Sequence, residues 1–78
     1  MNSEPEYRYT IYKREHCSTE STVHHTGNDY TKALALAMTL WDGSVYECVE
    51  IEREEVRTDG EAGVIGIVWK RECREAME

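Results

Sequence analysis

The chain is poor in the features that mark known chemistry. Its 78 residues include one proline, Pro5, five glycines and three cysteines. Cys17, Cys48 and Cys73 are odd in number and widely spaced, with no Cys-x-x-Cys pair, so they suggest neither a disulfide framework nor a zinc ribbon. The one glycine pair that resembles a loop, Gly60-Glu-Ala-Gly63, lies between strand-like segments beside acidic residues and opens no helix, which argues against a phosphate cradle. No run is long and apolar enough to cross a bilayer, and the leading Met-Asn-Ser-Glu-Pro-Glu lacks the basic and apolar regions of a signal peptide, so a cytoplasmic location is expected. Basic charge is also scarce. Nine Lys and Arg face sixteen Asp and Glu, a net charge of −7 that repels nucleic acid and anionic membranes and favours a basic partner.

A chain of this length has room for one core and one working surface. Domains this small bury only about 60% of the surface their unfolded chains expose, so a homodimer remains open as an added source of stability. The acidity is uneven: residues 1–39 carry five acids against four bases, whereas residues 40–78 carry eleven against five. The second half is therefore the candidate for charge-driven docking.

Hydrophobic periodicity predicts the elements. Residues 1–6 read as a flexible lead-in, 7–71 as a single α+β domain and 72–78 as a charged tail. From Tyr7 to Arg14 the pattern has period two, with Tyr7, Tyr9 and Ile11 on one face and Arg8, Thr10, Tyr12 and Arg14 on the other. A weaker strand at Ser21–His25 folds back through Ser18, Thr19 and Glu20. Asn28 or Asp29 caps a helix over 30–41 that ends at Gly43, expected in the left-handed terminating conformation. The apolar sector of that helix spans roughly 200°, wider than the ~100° needed to lie on one surface. Ser44–Arg53 and Val64–Lys70 form a second hairpin, with Val49 opposite Trp69, Ile51 opposite Ile67 and Glu47 opposite Arg71. The fold class is thus α+β, ordered β-β-α-β-β, with an antiparallel sheet of up to four strands and one helix on one face. Tyr7, Tyr9, Ile11, Val49, Ile51, Ile65, Ile67 and Trp69 would form the inner layer, and Met38 of the helix would be buried with Ile67 and Trp69. Arg8, Thr10, Tyr12, Arg14, Tyr46, Cys48, Glu50, Glu52, Val68 and Lys70 would form an uncovered outer face.

His16, Cys17, His24 and His25 crowd one hairpin, but adjacent strand residues face opposite ways and no ligand spacing matches a zinc site, so no metal and no cofactor are expected. Cys17 beside His16 fails the same geometric test for a nucleophile and its base, and the glutamates show no spacing that separates acid–base pairs from a charged surface. The chain is not expected to be an enzyme. Tyr7, Arg8, Tyr9, Tyr12, Lys13 and Arg14 have the composition of a base-stacking platform, which the surrounding acidity opposes. The most informative run is Glu47, Glu50, Glu52, Glu54, Glu55, Asp59 and Glu61 against only Arg53 and Arg57, an acidic hairpin suited to a groove of Lys and Arg built for phosphates. Arg8, Tyr12, Arg14 and Tyr46 on the outer sheet face are the alternative partner-binding set.

One small acidic domain from Tyr7 to Arg71, with strands around the Ala-rich helix Asp29-Tyr-Thr-Lys-Ala-Leu-Ala-Leu-Ala-Met38 and no active site, resembles the anti-CRISPR proteins that phages and mobile elements encode. The resemblance carries no shared motif and so transfers no residue. It implies a non-catalytic, protein-binding inhibitor in the host cytoplasm that blocks nucleic-acid access to a defence nuclease or an RNA-guided complex. Two other classes stay open: a structural or regulatory homodimer with Leu36 and Leu40 of the helix at its interface, and a small thiol or metal-dependent enzyme built on His16, Cys17, His24 and His25.

Overall fold

In the computed structural model, residues 6–43, 45–57 and 63–73 are described. The alternating segment forms β1 (Glu6–Glu15), followed by β2 (Thr22–Gly27), α1 (Tyr30–Asp42), β3 (Tyr46–Val56) and β4 (Ile65–Glu72). All neighbouring strands are antiparallel, in the order β2-β1-β3-β4, and the helix lies across β1, β2 and β3. This is the expected β-β-α-β-β fold. β1 starts one residue inside the predicted lead-in, and β4 continues to Glu72, at the start of the predicted tail. Among the described residues no helix is long and apolar enough to cross a membrane.

The two longest strands are central because they carry the core. Ile11 of β1 lies opposite Ile51 of β3, and with Val49 they are fully buried beneath Ala33 and Ala37 of α1. Two alanines four residues apart form a smooth helix stripe, which lets the helix backbone approach the sheet closely. Tyr30, Leu34, Leu36, Leu40 and Trp41 then close the sides, with Tyr9, Tyr46 and Trp69. Asp29 fixes where the helix begins. Its Oδ1 accepts the Lys32 N–H at 3.2 Å, satisfying a first-turn donor that has no partner within the helix.

Several expectations need correction. Gly43 closes the helix in a right-handed conformation, φ −72° and ψ −13°, its N–H reaching the carbonyls of Leu40 and Trp41. The chain leaves α1 through one more tightened turn, so no left-handed residue is needed. Met38 is 50% exposed, because it lies about 100° around the helix from the buried Ala37, off the stripe that meets the sheet.

The β3–β4 register is also shifted. Val49 lies opposite Arg71 and Ile51 opposite Trp69, two residues from the expected pairing, so the large indole fills the layer beside Ile51 and Arg71 covers its ring at 4.9 Å. An irregularity then leaves Val68 as an extra residue, so that Ile67 pairs with Glu52 and Ile65 with Glu54. That extra residue turns Ile65 and Ile67 away from the helix, leaving them 55% and 47% exposed, while Trp69 is half-buried. Similar irregularities leave His24 extra in β2 and Glu47 extra in β3.

Candidate protein-binding face

The face of the sheet opposite α1 is built from alternate residues of the two central strands. β1 contributes Arg8, Thr10, Tyr12 and Arg14, and β3 contributes Glu54, Glu52, Glu50 and Cys48 directly across from them. The three glutamates follow one another two residues apart, so their backbone origins are spaced about 6.6 Å along one strand. Acid and base meet across the ladder. Arg8 donates to Glu54, the Tyr12 hydroxyl donates to Glu52 Oε1 at 3.3 Å, and Arg14 lies 3.6 Å from Glu47 and 3.7 Å from Glu72. A second donor contact from Arg14, to the Ser18 carbonyl at 3.1 Å, ties the β1–β2 turn to the same face.

The two partner-binding sets read from the sequence are therefore largely one surface. Glu50, Glu52 and Glu54 interleave with Arg8, Tyr12 and Arg14, whereas Glu55 lies on the opposite face beside Tyr7. Asp59 and Glu61 lie outside the described residues. Tyr46 departs from the expected face: the extra residue Glu47 reverses the alternation, so Tyr46 packs against the core with Lys13 Nζ 5.3 Å from its ring centre. Glu47 instead turns toward Arg14 and toward His16, whose Nδ1 is 3.9 Å away.

The electrostatics of the centre follow from this ladder. Partial burial raises the Tyr12 hydroxyl above its ordinary pKa, and Glu52, Glu50 and Glu54 raise it further. Burial likewise raises the Cys48 thiol, with Glu50, which accepts its weak S–H bond at 3.6 Å, adding to the effect. Cys48 is thus held as a protonated thiol, the opposite of an activated nucleophile. The Arg8 guanidinium is held protonated by its hydrogen bond and charge interaction with Glu54. Arg8, Arg14 and Lys70 offset only part of the acidity of Glu6, Glu47, Glu50, Glu52, Glu54 and Glu72, and the face keeps an acidic excess.

The chain matches no family model, no curated protein and no solved structure. Its chemistry must be read from the side chains themselves. The histidine-rich hairpin does not converge: His24 Nδ1 takes its contact from Lys13 Nζ at 3.3 Å, His16 turns to Glu47, and Cys17 is exposed at a positive φ of 67° in the turn. Among the described residues no three His, Cys, Asp or Glu side chains group as metal ligands.

A second feature went unread in the sequence. Tyr7, Tyr9 and Tyr30 form a chain of tilted rings with centres 6.4 and 5.2 Å apart, and Arg53 lies 4.6 Å over Tyr7. Tyr9, Tyr30, Arg53 and Val68 line a shallow cleft on the helix side of the sheet. Element lengths were the available signal. Strands of 10 and 11 residues run about 33–37 Å, whereas a 13-residue helix covers only about 20 Å of them.

Proposed function

We propose that this chain is a non-catalytic, protein-binding inhibitor of the anti-CRISPR type, which uses its acidic sheet face to occupy a basic, phosphate-binding groove of a nuclease or RNA-guided complex. The observation that carries this reading is the row Glu50, Glu52 and Glu54, placed centrally on a face that no described element covers. A rigid strand holds these carboxylates at fixed spacing, so docking costs less side-chain ordering than it would from a loop. Glu50 is the strongest single candidate, since among the described residues the one hydrogen bond its carboxylate accepts comes from the weak thiol donor of Cys48. Arg8, Tyr12 and Arg14 would orient the row and contact acidic or carbonyl groups at the rim of the partner.

The homodimer reading loses the surface first suggested for it, because Leu36 and Leu40 pack against the core. The enzyme reading gains nothing from the geometry around His16, Cys17, His24 and His25.

The test is inhibition of nucleic-acid cleavage by a panel of purified RNA-guided nuclease complexes, with and without the double variant Glu50→Lys/Glu52→Lys. The expected result is stoichiometric inhibition of one complex, relieved by excess nucleic acid, weakened by salt and lost in the variant while its circular dichroism is unchanged. Exposed charges are screened over about 8 Å at physiological ionic strength, so the salt effect should be large. Inhibition that survives both the reversals and high salt would overturn the acidic-groove mechanism. Failure to inhibit or bind any complex would overturn the inhibitor reading.

A further inference from the structure

The two edges of the sheet differ in kind. β2 is a six-residue edge, Thr-Val-His-His-Thr-Gly, polar and interrupted by its extra residue His24. β4 is an eight-residue edge whose Ile65, Ile67 and Val68 are exposed, and among the described residues no strand neighbours its outward backbone N–H and C=O groups. Edge strands of soluble proteins are normally shortened, charged or covered, because an open apolar edge is a template for another strand. β4 carries charge only at its far end, in Lys70, Arg71 and Glu72. Residues 63–71 include no acid, although the chain as a whole carries −7.

We propose that β4 is the docking edge for a second copy of this chain, pairing antiparallel with its own counterpart to make one continuous eight-stranded sheet. The irregularity at Val68 selects the register. Trp69 and Arg71 share the helix side with Ile51 and Val49, whereas Ile67 and Ile65 share the outer side with Glu52 and Glu54. Val68 faces the helix side, lining the cleft with Tyr9 and Tyr30. Two residues opposite each other in a ladder must point to the same side. With Val68 breaking the alternation, one symmetric register satisfies that rule along the whole strand, the one with its two-fold axis between Val68 and Trp69. It places Val68 opposite Trp69 of the second copy, Ile67 opposite Lys70, Gly66 opposite Arg71 and Ile65 opposite Glu72.

That register is also chemically consistent. Two Val–Trp pairs form an apolar centre on the axis. Gly66, where an added Cβ would meet nothing within 4 Å, leaves room for the Arg71 side chain of the second copy. Lys70 of one copy joins the outer-face row that contains Ile67 and then Glu52 of the other, so the base-rich end of each β4 lies one strand away from the acid-rich β3 of its partner. A different acidic protein could satisfy the same edge, but only a second copy satisfies the symmetry, because here the strand complements itself. The pairing is made by β4, and Glu52 enters only as a charge one strand removed, so the dimer does not rest on the inhibitor reading.

Sedimentation of the full chain over the micromolar range tests the proposal, with Val68→Lys and Val68→Glu as paired variants. The wild-type chain is expected to reach twice the monomer mass reversibly. Each variant alone should dissociate at least about tenfold more readily, because like charges meet across the axis, and an equimolar mixture of the two should recover the dimer. Recovery in the mixture separates a lost interface from a lost fold. A second measurement fixes the register: with Cys17 and Cys73 changed to Ser, the variant Ile67→Cys/Lys70→Cys should oxidise to a covalent dimer, whereas Ile65→Cys/Lys70→Cys should not. A wild-type chain that stays monomeric throughout, or a dimer indifferent to both Val68 variants, would overturn the proposal.

Discussion

The two ends of this sheet are made of similar residues put to different uses. At the helix-covered end, Ile11, Val49 and Ile51 are shut beneath Ala33 and Ala37. At the hairpin end, Val56, Val64, Ile65, Ile67 and Val68 are just as apolar, yet all are exposed, Val64 by 73%. Hydrophobicity alone does not separate them. Position relative to a 13-residue helix does, together with the extra residue in β4 that turns Ile65 and Ile67 outward. One end holds the fold together, and the other is available for contact.

The sharpest way to break this comparison is to truncate one isoleucine at each end. Ile51→Ala leaves a cavity in a fully buried site and is expected to cost about 2–5 kcal/mol by chemical denaturation. Ile65→Ala should change monomer stability by no more than about 0.5 kcal/mol. Equal losses would mean that the hairpin end belongs to the core. The two glycines of the hairpin make the next contrast. A Cβ on Gly63 would stand 2.0 Å from the Glu55 carbonyl oxygen, where Glu55 N–H meets the Val64 carbonyl at 2.9 Å, so Gly63→Ala should cost about 1–3 kcal/mol through forced backbone movement. Gly66→Ala meets open space and should gain about 0.5–1 kcal/mol by removing strand-glycine flexibility.

Within the covered end, Asp29→Ala removes the helix cap and should lower stability by about 1 kcal/mol, with Asp29→Asn retaining most of it. The smallest effect concerns His24, the extra residue of the edge strand β2, which contacts Lys13 of β1. Partial burial, then the charges of Lys13 and His25, hold its pKa below the ordinary value. The folded ring therefore binds fewer protons than the unfolded one, so this group lowers stability progressively as pH falls from about 6.5 through the folded value. A titration followed by ring proton shifts should show the depressed pKa, and Lys13→Ala should raise it. A ring that titrates at or above about 6.5 would contradict the contact with Lys13.

Much of the architecture was legible because local rules agree with the global fold. Period-two alternation located β1, Asn28 and Asp29 announced the start of α1, and Gly60 with Gly63 marked the turn of the second hairpin. The register was not legible, for a specific reason. A rule of strict alternation has no place for His24, Glu47 or Val68, each of which adds one residue to a strand and reverses every side chain beyond it. The expected pairing of Glu47 with Arg71 satisfied charge, but the pairing of Ile51 with Trp69 satisfies the core, and burial outweighs an exposed ion pair. The same reasoning explains the candidate face. Glu50, Glu52 and Glu54 were recognisable as an acidic run, but only the β1–β3 register shows that Arg8, Tyr12 and Arg14 stand across from them.

Native-state hydrogen exchange, read residue by residue in solution dilute enough to keep the chain monomeric, tests the division of the sheet most directly. The amides of Ile11, Val49 and Ile51 should exchange only through global unfolding, with protection that tracks overall stability as denaturant is added. Those between Ile65 and Val68 that bond to β3 should exchange sooner, through a local opening nearly independent of denaturant. If the β4 amides prove as protected as those of Ile51, and share the same denaturant dependence, the sheet is one cooperative unit and the separation of core from contact surface is wrong.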